Sequence, residues 1–259
     1  MVYLTLPSDS SVEYFPQNTV AKYRVKLPKE YAFDGNYECG LVQFLYPVTW
    51  QNVPNSINSS VRVLITSSTT GRWMYKTPVL KVRPGHYRDI KSLLQEINKI
   101  LEEYNIGMGC AFVYDAMTQK VKFHCEGDLE LRIKLDAYLL DMLGFVSTAT
   151  KWVRPNERGA RIVDMKNGFN SIYIYSDLIQ PVHVTGHTTE PLLRSVPVQG
   201  DHGDMALFQP THILYFPLRS KQIQTVEVLL ATDMGEPVPF KSGKSQITVH
   251  IRRTRPLDL

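Results

Sequence analysis

In residues 246–252 the apolar side chains Ile247, Val249 and Ile251 alternate with Gln246, Thr248, His250 and Arg252. Only a β-strand has the period of two that places such residues on one face. Residues 20–27 follow nearly the same rule, with Val20, Tyr23, Val25 and Leu27 set against Lys22, Arg24 and Lys26. Strands with one apolar and one polar face need a partner layer, and two sheets packed face to face supply it. More than ten short runs rich in Val, Ile, Tyr, Phe and Thr are punctuated by Pro, Gly, Asn, Asp and Ser, among them 37–46, 61–66, 171–175, 192–198, 212–216 and 225–230.

The middle of the chain breaks the period. Ile90, Leu93, Leu94, Ile97, Ile100, Leu101 and Tyr104 recur three and four apart, which predicts a helix with Asp89 as its N-cap. A hairpin follows, 110–114 and 120–125 around the turn 115–119. A short strand then leads to a second helix from Asp136 to Leu143, stopped by Gly144 as a left-handed C-cap. The expected organisation is therefore a discontinuous β-sandwich, residues 1–75 and 150–259, carrying an inserted α+β domain at 76–149. Three independent domains would leave about 70 N-terminal residues with a marginal core.

Charged residues make up 21% of the chain and hydrophobic ones 43%, the balance of an ordinary globular protein. The first residues show neither the basic-then-apolar pattern of a signal peptide nor an anchor, and no apolar run approaches a membrane span, so a soluble protein made inside the cell is expected. Cys39, Cys110 and Cys125 are odd in number and form no CxxC pair, which argues against a disulfide framework or zinc site and for small buried hydrophobes. A net charge of +4 permits nucleic-acid contact without predicting it.

The search for chemistry is negative, so no catalytic, cofactor-binding or metal-binding residue is expected. His183, His187, Asp201, His202 and Asp204 share one stretch, but Pro181 and Gly186 forbid the helix that would align the first two histidines. No GxSxG elbow or cysteine-protease context occurs. Gly107 and Gly109 precede a strand instead of opening a helix, unlike a phosphate loop. Asp233 and Glu236 flank Gly235 in a turn ahead of Pro237, and the basic end Arg252-Arg253-Thr254-Arg255 suits a solvated strand terminus.

Four blocks carry a family resemblance. They are Pro7-Ser8-Asp9-Ser10-Ser11-Val12-Glu13-Tyr14-Phe15-Pro16-Gln17-Asn18-Thr19; Tyr37 to Phe44 with Tyr46-Pro47-Val48-Thr49-Trp50-Gln51-Asn52; Phe169 to Ile179 through Pro191-Leu192-Leu193-Arg194; and Asp233 to Phe240 through Gly243-Lys244 to Arg252. Together they resemble the minor capsid (penton) proteins of the Polinton/Maverick family of virus-like elements, with Tyr-Pro-x-Thr-Trp the most distinctive piece. The resemblance implies a mainly β protein built on a single jelly roll, and homopentamers at the five-fold vertices of an icosahedral virion. It also implies a double-jelly-roll major capsid protein as neighbour, no cofactor and no enzymatic activity. Two jelly rolls would need about sixteen strands, too many for this chain once the insert is subtracted. The competing expectations are a receptor- or glycan-binding spike or fibre head and, from the enzyme class, a metal-dependent sandwich hydrolase or oxygenase using the histidines.

Overall fold

The computed structural model describes residues 1–53, 60–66, 73–76, 79–103, 109–126, 131–146, 148, 151–166, 169–185 and 187–254. The chain begins with β1 (Val2–Pro7), β2 (Lys22–Ala32) and β3 (Tyr37–Pro47), then β4 (Ser60–Thr66), β5 (Trp73–Lys76), β6 (Leu80–Lys81) and α1 (Ile90–Glu103). Next come β7 (Cys110–Asp115), β8 (Lys120–Cys125), β9 (Leu131–Leu135), α2 (Ala137–Met142) and β10 (Ser171–Ser176). The last elements are β11 (His183–Thr185), β12 (Thr188–Glu190), β13 (Leu192–Pro197), β14 (Met205–Phe208), β15 (Phe216–Pro217), β16 (Gln222–Ala231) and β17 (Gln246–Arg253). They divide into two compact units, Met1–Trp50 with Phe169–Leu259, and Gln51–Gly168.

The first unit is a mainly β, antiparallel sandwich. One sheet runs β1-β17-β3-β14 with β15 also on β3, and the other runs β13-β10-β16-β2. Counting β14 and β15 as one position and setting the small β11–β12 hairpin aside, first strand pairs with last, second with seventh, third with sixth and fourth with fifth. That is one long hairpin rolled into two layers, the jelly roll. Its interior is what alternation predicted: Tyr23, Val25 and Leu27 from β2, Val226, Val228 and Leu230 from β16, and Ile247, Val249 and Ile251 from β17 are all buried.

The motif around Tyr46 and Trp50 closes this roll where the insert leaves it. The Tyr46 hydroxyl donates to the Pro197 carbonyl at the end of β13 (3.4 Å) and accepts from the Gln199 N–H (3.0 Å), tying one sheet to the other. Thr49 Oγ1 donates to the Ser242 carbonyl at 2.9 Å. The Trp50 ring meets Phe169, the residue at which the chain re-enters, edge-on at 5.0 Å, and Phe240 at 5.9 Å.

The second unit is larger than the sequence suggested. Strand β4, expected in the sandwich, pairs Val61 to Ile65 with Leu135 to Leu131 of β9, and also pairs with β5 and β6. Residues past 150 belong here too, because Val153 bridges Ile133 and the Gly159 N–H donates to the Val121 carbonyl. The boundaries thus move from 76–149 to Gln51–Gly168, since a strand's own residues fix its period but not the sheet it joins.

Helix α1 begins at Asp89, whose carboxylate accepts the Ser92 N–H at 2.8 Å, and it buries Leu93, Leu94, Ile97, Ile100 and Leu101; Tyr104 lies outside the described residues. Asp136 occupies the N-cap position of α2 but makes no side-chain cap bond. The hairpin turn is held by Asp115, which accepts from the Met117 N–H (3.0 Å) and the Thr118 hydroxyl (2.7 Å). In one respect the cysteine expectation fails: Cys110 and Cys125 lie directly opposite each other in this hairpin and are joined as a disulfide. Cys39 alone is a free buried thiol, which burial pushes up to about 12. No described helix is long and apolar enough to cross a membrane.

Candidate interaction surfaces

The residues that invited a metal search do not converge. His183 sits in β11 opposite Glu190, and His187 follows Gly186, which lies outside the described residues. Asp201 and Asp204 close a separate turn on themselves, the Asp204 carboxylate accepting the Asp201 N–H at 2.9 Å. Among the described residues no three His, Cys, Asp or Glu side chains are grouped to hold a metal ion. Gly235 has φ +80 in the turn closed by the Thr232 N–H on the Glu236 carbonyl, so Asp233 and Glu236 have a backbone role there. Gly109, at φ +86, enters β7; Gly107 lies outside the described residues. The basic C-terminal cluster is partly spent: Arg252 Nε donates to Glu38 Oε1 at 2.6 Å, and its guanidinium lies 3.5 Å over the Tyr215 ring. Arg255 is outside the described residues.

What the roll presents is edges and outer faces. In the first sheet the edges are β1 and β14, and both carry exposed apolar side chains: Tyr3 on one, Met205 and Leu207 on the other. Part of the outer face between them is covered by Ile213, Leu214 and Tyr215, from the connection between β14 and β15. Gly40 of β3 makes room for it, because a β-carbon there would stand 2.5 Å from both Ile213 Cγ2 and the Leu214 carbonyl oxygen. His250, in register with Gly40, lies under this strap. Its ring stacks on Tyr3 at 4.5 Å, and its Nδ1 shares a 2.8 Å hydrogen bond with the Tyr215 hydroxyl. A side chain that alternation assigns to solvent is thereby only 5% exposed.

The outer side of the second sheet holds an acidic cleft of about 330 Å³ lined by Tyr175, Asp177, Glu190, Arg219 and Glu227. Asp177 Oδ1 accepts the Glu227 N–H at 2.8 Å, while the Glu227 carboxylate pairs with Arg24 at 2.6 Å. Burial, then the neighbouring Glu227 charge, raises the Asp177 pKa against the pull of that N–H, Arg219 and Arg24. Tyr175 is pushed up to about 12 by burial and its hydrogen bond to Glu190. A carboxyl raised by folding stabilises the protein when protonated, and that contribution is lost as pH rises through the raised value. Asp177→Asn is therefore expected to leave Tm at pH 7 equal or higher by about 2 °C, with the advantage shrinking as pH falls into the carboxylate range. Thermal melts across that range check it, and a lower Tm at pH 7 would contradict the sign.

No protein-family model matches the chain, and no curated protein matches it. Among solved structures it is similar to the crystal structure of the selenomethionine-labelled mavirus penton protein, with a TM-score of 0.58 at 13% sequence identity. The superposition covers 98% of this chain and 99% of that one. At that identity the likeness is one of fold: this chain has, over nearly its whole length, the fold of a penton protein.

Proposed function

We propose that the chain is a non-enzymatic minor capsid protein of the virion, assembling as a homopentamer at the five-fold vertices of an icosahedral shell whose faces are built by a double-jelly-roll major capsid protein. The likeness to the mavirus penton protein over 98% of this chain and 99% of that one carries this reading, because a bare jelly roll serves many functions. A closed ring of five needs a heterologous interface, in which one edge of a subunit meets a different edge of the next. Exposed Tyr3 at the β1 edge and Met205 and Leu207 at the β14 edge are apolar groups suited to such a head-to-tail contact. The protein should run in solution, or after co-expression with a major capsid protein, at five times the 29.6 kDa subunit mass. Electron microscopy of tagged, co-expressed shells should then find label at vertices only, and label on the faces would overturn the proposal.

A further inference from the structure

Both edges of the second sheet, β2 and β13, are closed to further pairing. Along Lys22 to Lys26 the outward backbone groups of β2 are taken by the chain that precedes it. The Asn18 side chain bonds both the N–H and the carbonyl of Arg24 at 2.9 Å, Ser11 Oγ accepts the Lys26 N–H at 3.0 Å, and Thr19 Oγ1 accepts the Lys22 N–H at 3.0 Å. Strand β13 starts after Pro191 and ends in Pro197, and neither nitrogen has a hydrogen to donate. Covering an edge or placing proline on it keeps a strand from pairing with a stranger.

The two edges of the first sheet are built differently: neither β1 nor β14 contains a charged residue or, before Pro7, a proline. Bonded and non-bonded residues alternate along an antiparallel pair, so a single bond fixes which residues turn outward. The Ser8 N–H donates to the Ser245 carbonyl at 2.9 Å, which assigns Leu6 and Leu4 to β17 and turns the N–H and carbonyl of Tyr3 and Thr5 away from it. The Pro7 carbonyl agrees, since it too faces outward and accepts the Ser10 hydroxyl at 3.0 Å. On β14 the Val48 N–H donates to the Asp204 carbonyl at 2.8 Å, so Ala206 bonds across to β3 while Met205 and Leu207 face away. Among the described residues no hydrogen bond reaches these outward groups of Tyr3, Thr5, Met205 or Leu207.

The two edges also match. The pairings β1 to β17, β17 to β3 and β3 to β14 are all antiparallel, so β1 and β14 run in opposite directions at the two ends of one sheet. A second copy placed so that its sheet continues the first therefore brings its β14 antiparallel to β1. One register uses all four outward residues: Tyr3 with Leu207 and Thr5 with Met205. It also sets Leu4 against Ala206, both buried, while Tyr3, Met205 and Leu207 are exposed, so the core face and the outer face each continue across the join. We propose that successive copies in the ring are joined by main-chain pairing of β1 with β14 of the next copy in this register, an inference that rests on the ring-forming role proposed above. The occupant of each open edge is thus a second copy of this chain, added as a strand.

Thr5→Cys combined with Met205→Cys tests the register in the intact protein, because a hydrogen-bonded pair has Cα atoms about 5.5 Å apart, within disulfide reach. Treating the solution pentamer, or co-expressed shells, with oxidised glutathione should give a ladder of covalent dimers to pentamers on a non-reducing gel. Thr5→Cys with Leu207→Cys, a diagonal pair about 7 Å apart or more, should give far less. Thr5→Pro removes one outward N–H and no bond of its own sheet, and should raise the concentration at which the ring half-dissociates about ten-fold, with Thr5→Val close to wild type. The cysteine pair decides the matter even where the proline disturbs β1. A pentameric mass without the ladder, or an equal ladder from Thr5→Cys with Leu207→Cys, would overturn the strand pairing and leave the vertex role standing. Failure to form pentamers both in solution and in shells would overturn the two together.

Discussion

Gly144→Ala is expected to cost about 3 kcal/mol of stability, read as a lower urea midpoint and as lost amide protection across α2 and residues 161–164. Helix α2 ends in a Schellman motif: the Gly144 N–H donates to the Asp141 carbonyl (3.1 Å) and the Phe145 N–H to the Leu140 carbonyl (2.8 Å). The motif needs its left-handed residue, and Gly144 has φ +78. Conformation is only half of the cost. A β-carbon would stand 2.3 Å from the Arg161 carbonyl oxygen, a backbone atom that cannot swing away. That backbone is itself fastened, with the Arg161 N–H on the Gly144 carbonyl and the Asp164 N–H on the Met142 carbonyl, both 2.9 Å. Relief of the clash must therefore break the join between α2 and the returning chain. Unchanged stability of the variant would show that neither constraint is real.

The same glycine shows what a sequence of this kind discloses. Its place after Leu143 marks a helix end, as Asp89 marks a helix start, because capping is settled within a few residues. The alternation in β2 and β17 likewise identified the core face of the roll. Partner choice is different in kind. Nothing in Val61 to Ile65 says that their neighbour is Leu135 to Leu131, so their period alone places β4 with the sandwich strands while its pairing places it in the second unit. The disulfide was legible in principle, since Cys110 and Cys125 each lie five residues from the turn ends Asp115 and Lys120, but cysteine count and spacing motifs ignore hairpin register. The burial of His250 comes from a loop some 35 residues away in sequence, laid over a strand whose glycine looked like any other.

That loop is the subject of the other large effect. Gly40→Ala is expected to cost about 2 kcal/mol, because its β-carbon would press 2.5 Å from the Leu214 carbonyl oxygen and 3.2 Å from the Tyr215 ring. Displacing the strap would loosen the Tyr215 contacts with His250 and with Arg252, which is also held by Glu38, and would let water reach His250. In the wild type, burial, then the charge of Arg252 and the N-terminal ammonium, holds the His250 pKa below its usual value. Among the described residues its Nε2 has no hydrogen-bond partner, so protonation would bury an unpaired donor as well as a charge. A histidine lowered by folding contributes stability that is complete above about pH 6.5 and lost as pH falls through the depressed value. Wild type should therefore lose stability on acidification more steeply than Gly40→Ala, whose hydrated His250 titrates nearly as it does in the unfolded chain. Melts of both proteins from neutral to mildly acidic pH decide the matter, and parallel curves would remove His250 as the sensing group. Because the strap leads directly out of β14, the strand that exposes Met205 and Leu207, its release at low pH should also weaken the proposed pentamer, readable as a fall in solution mass over the same pH interval.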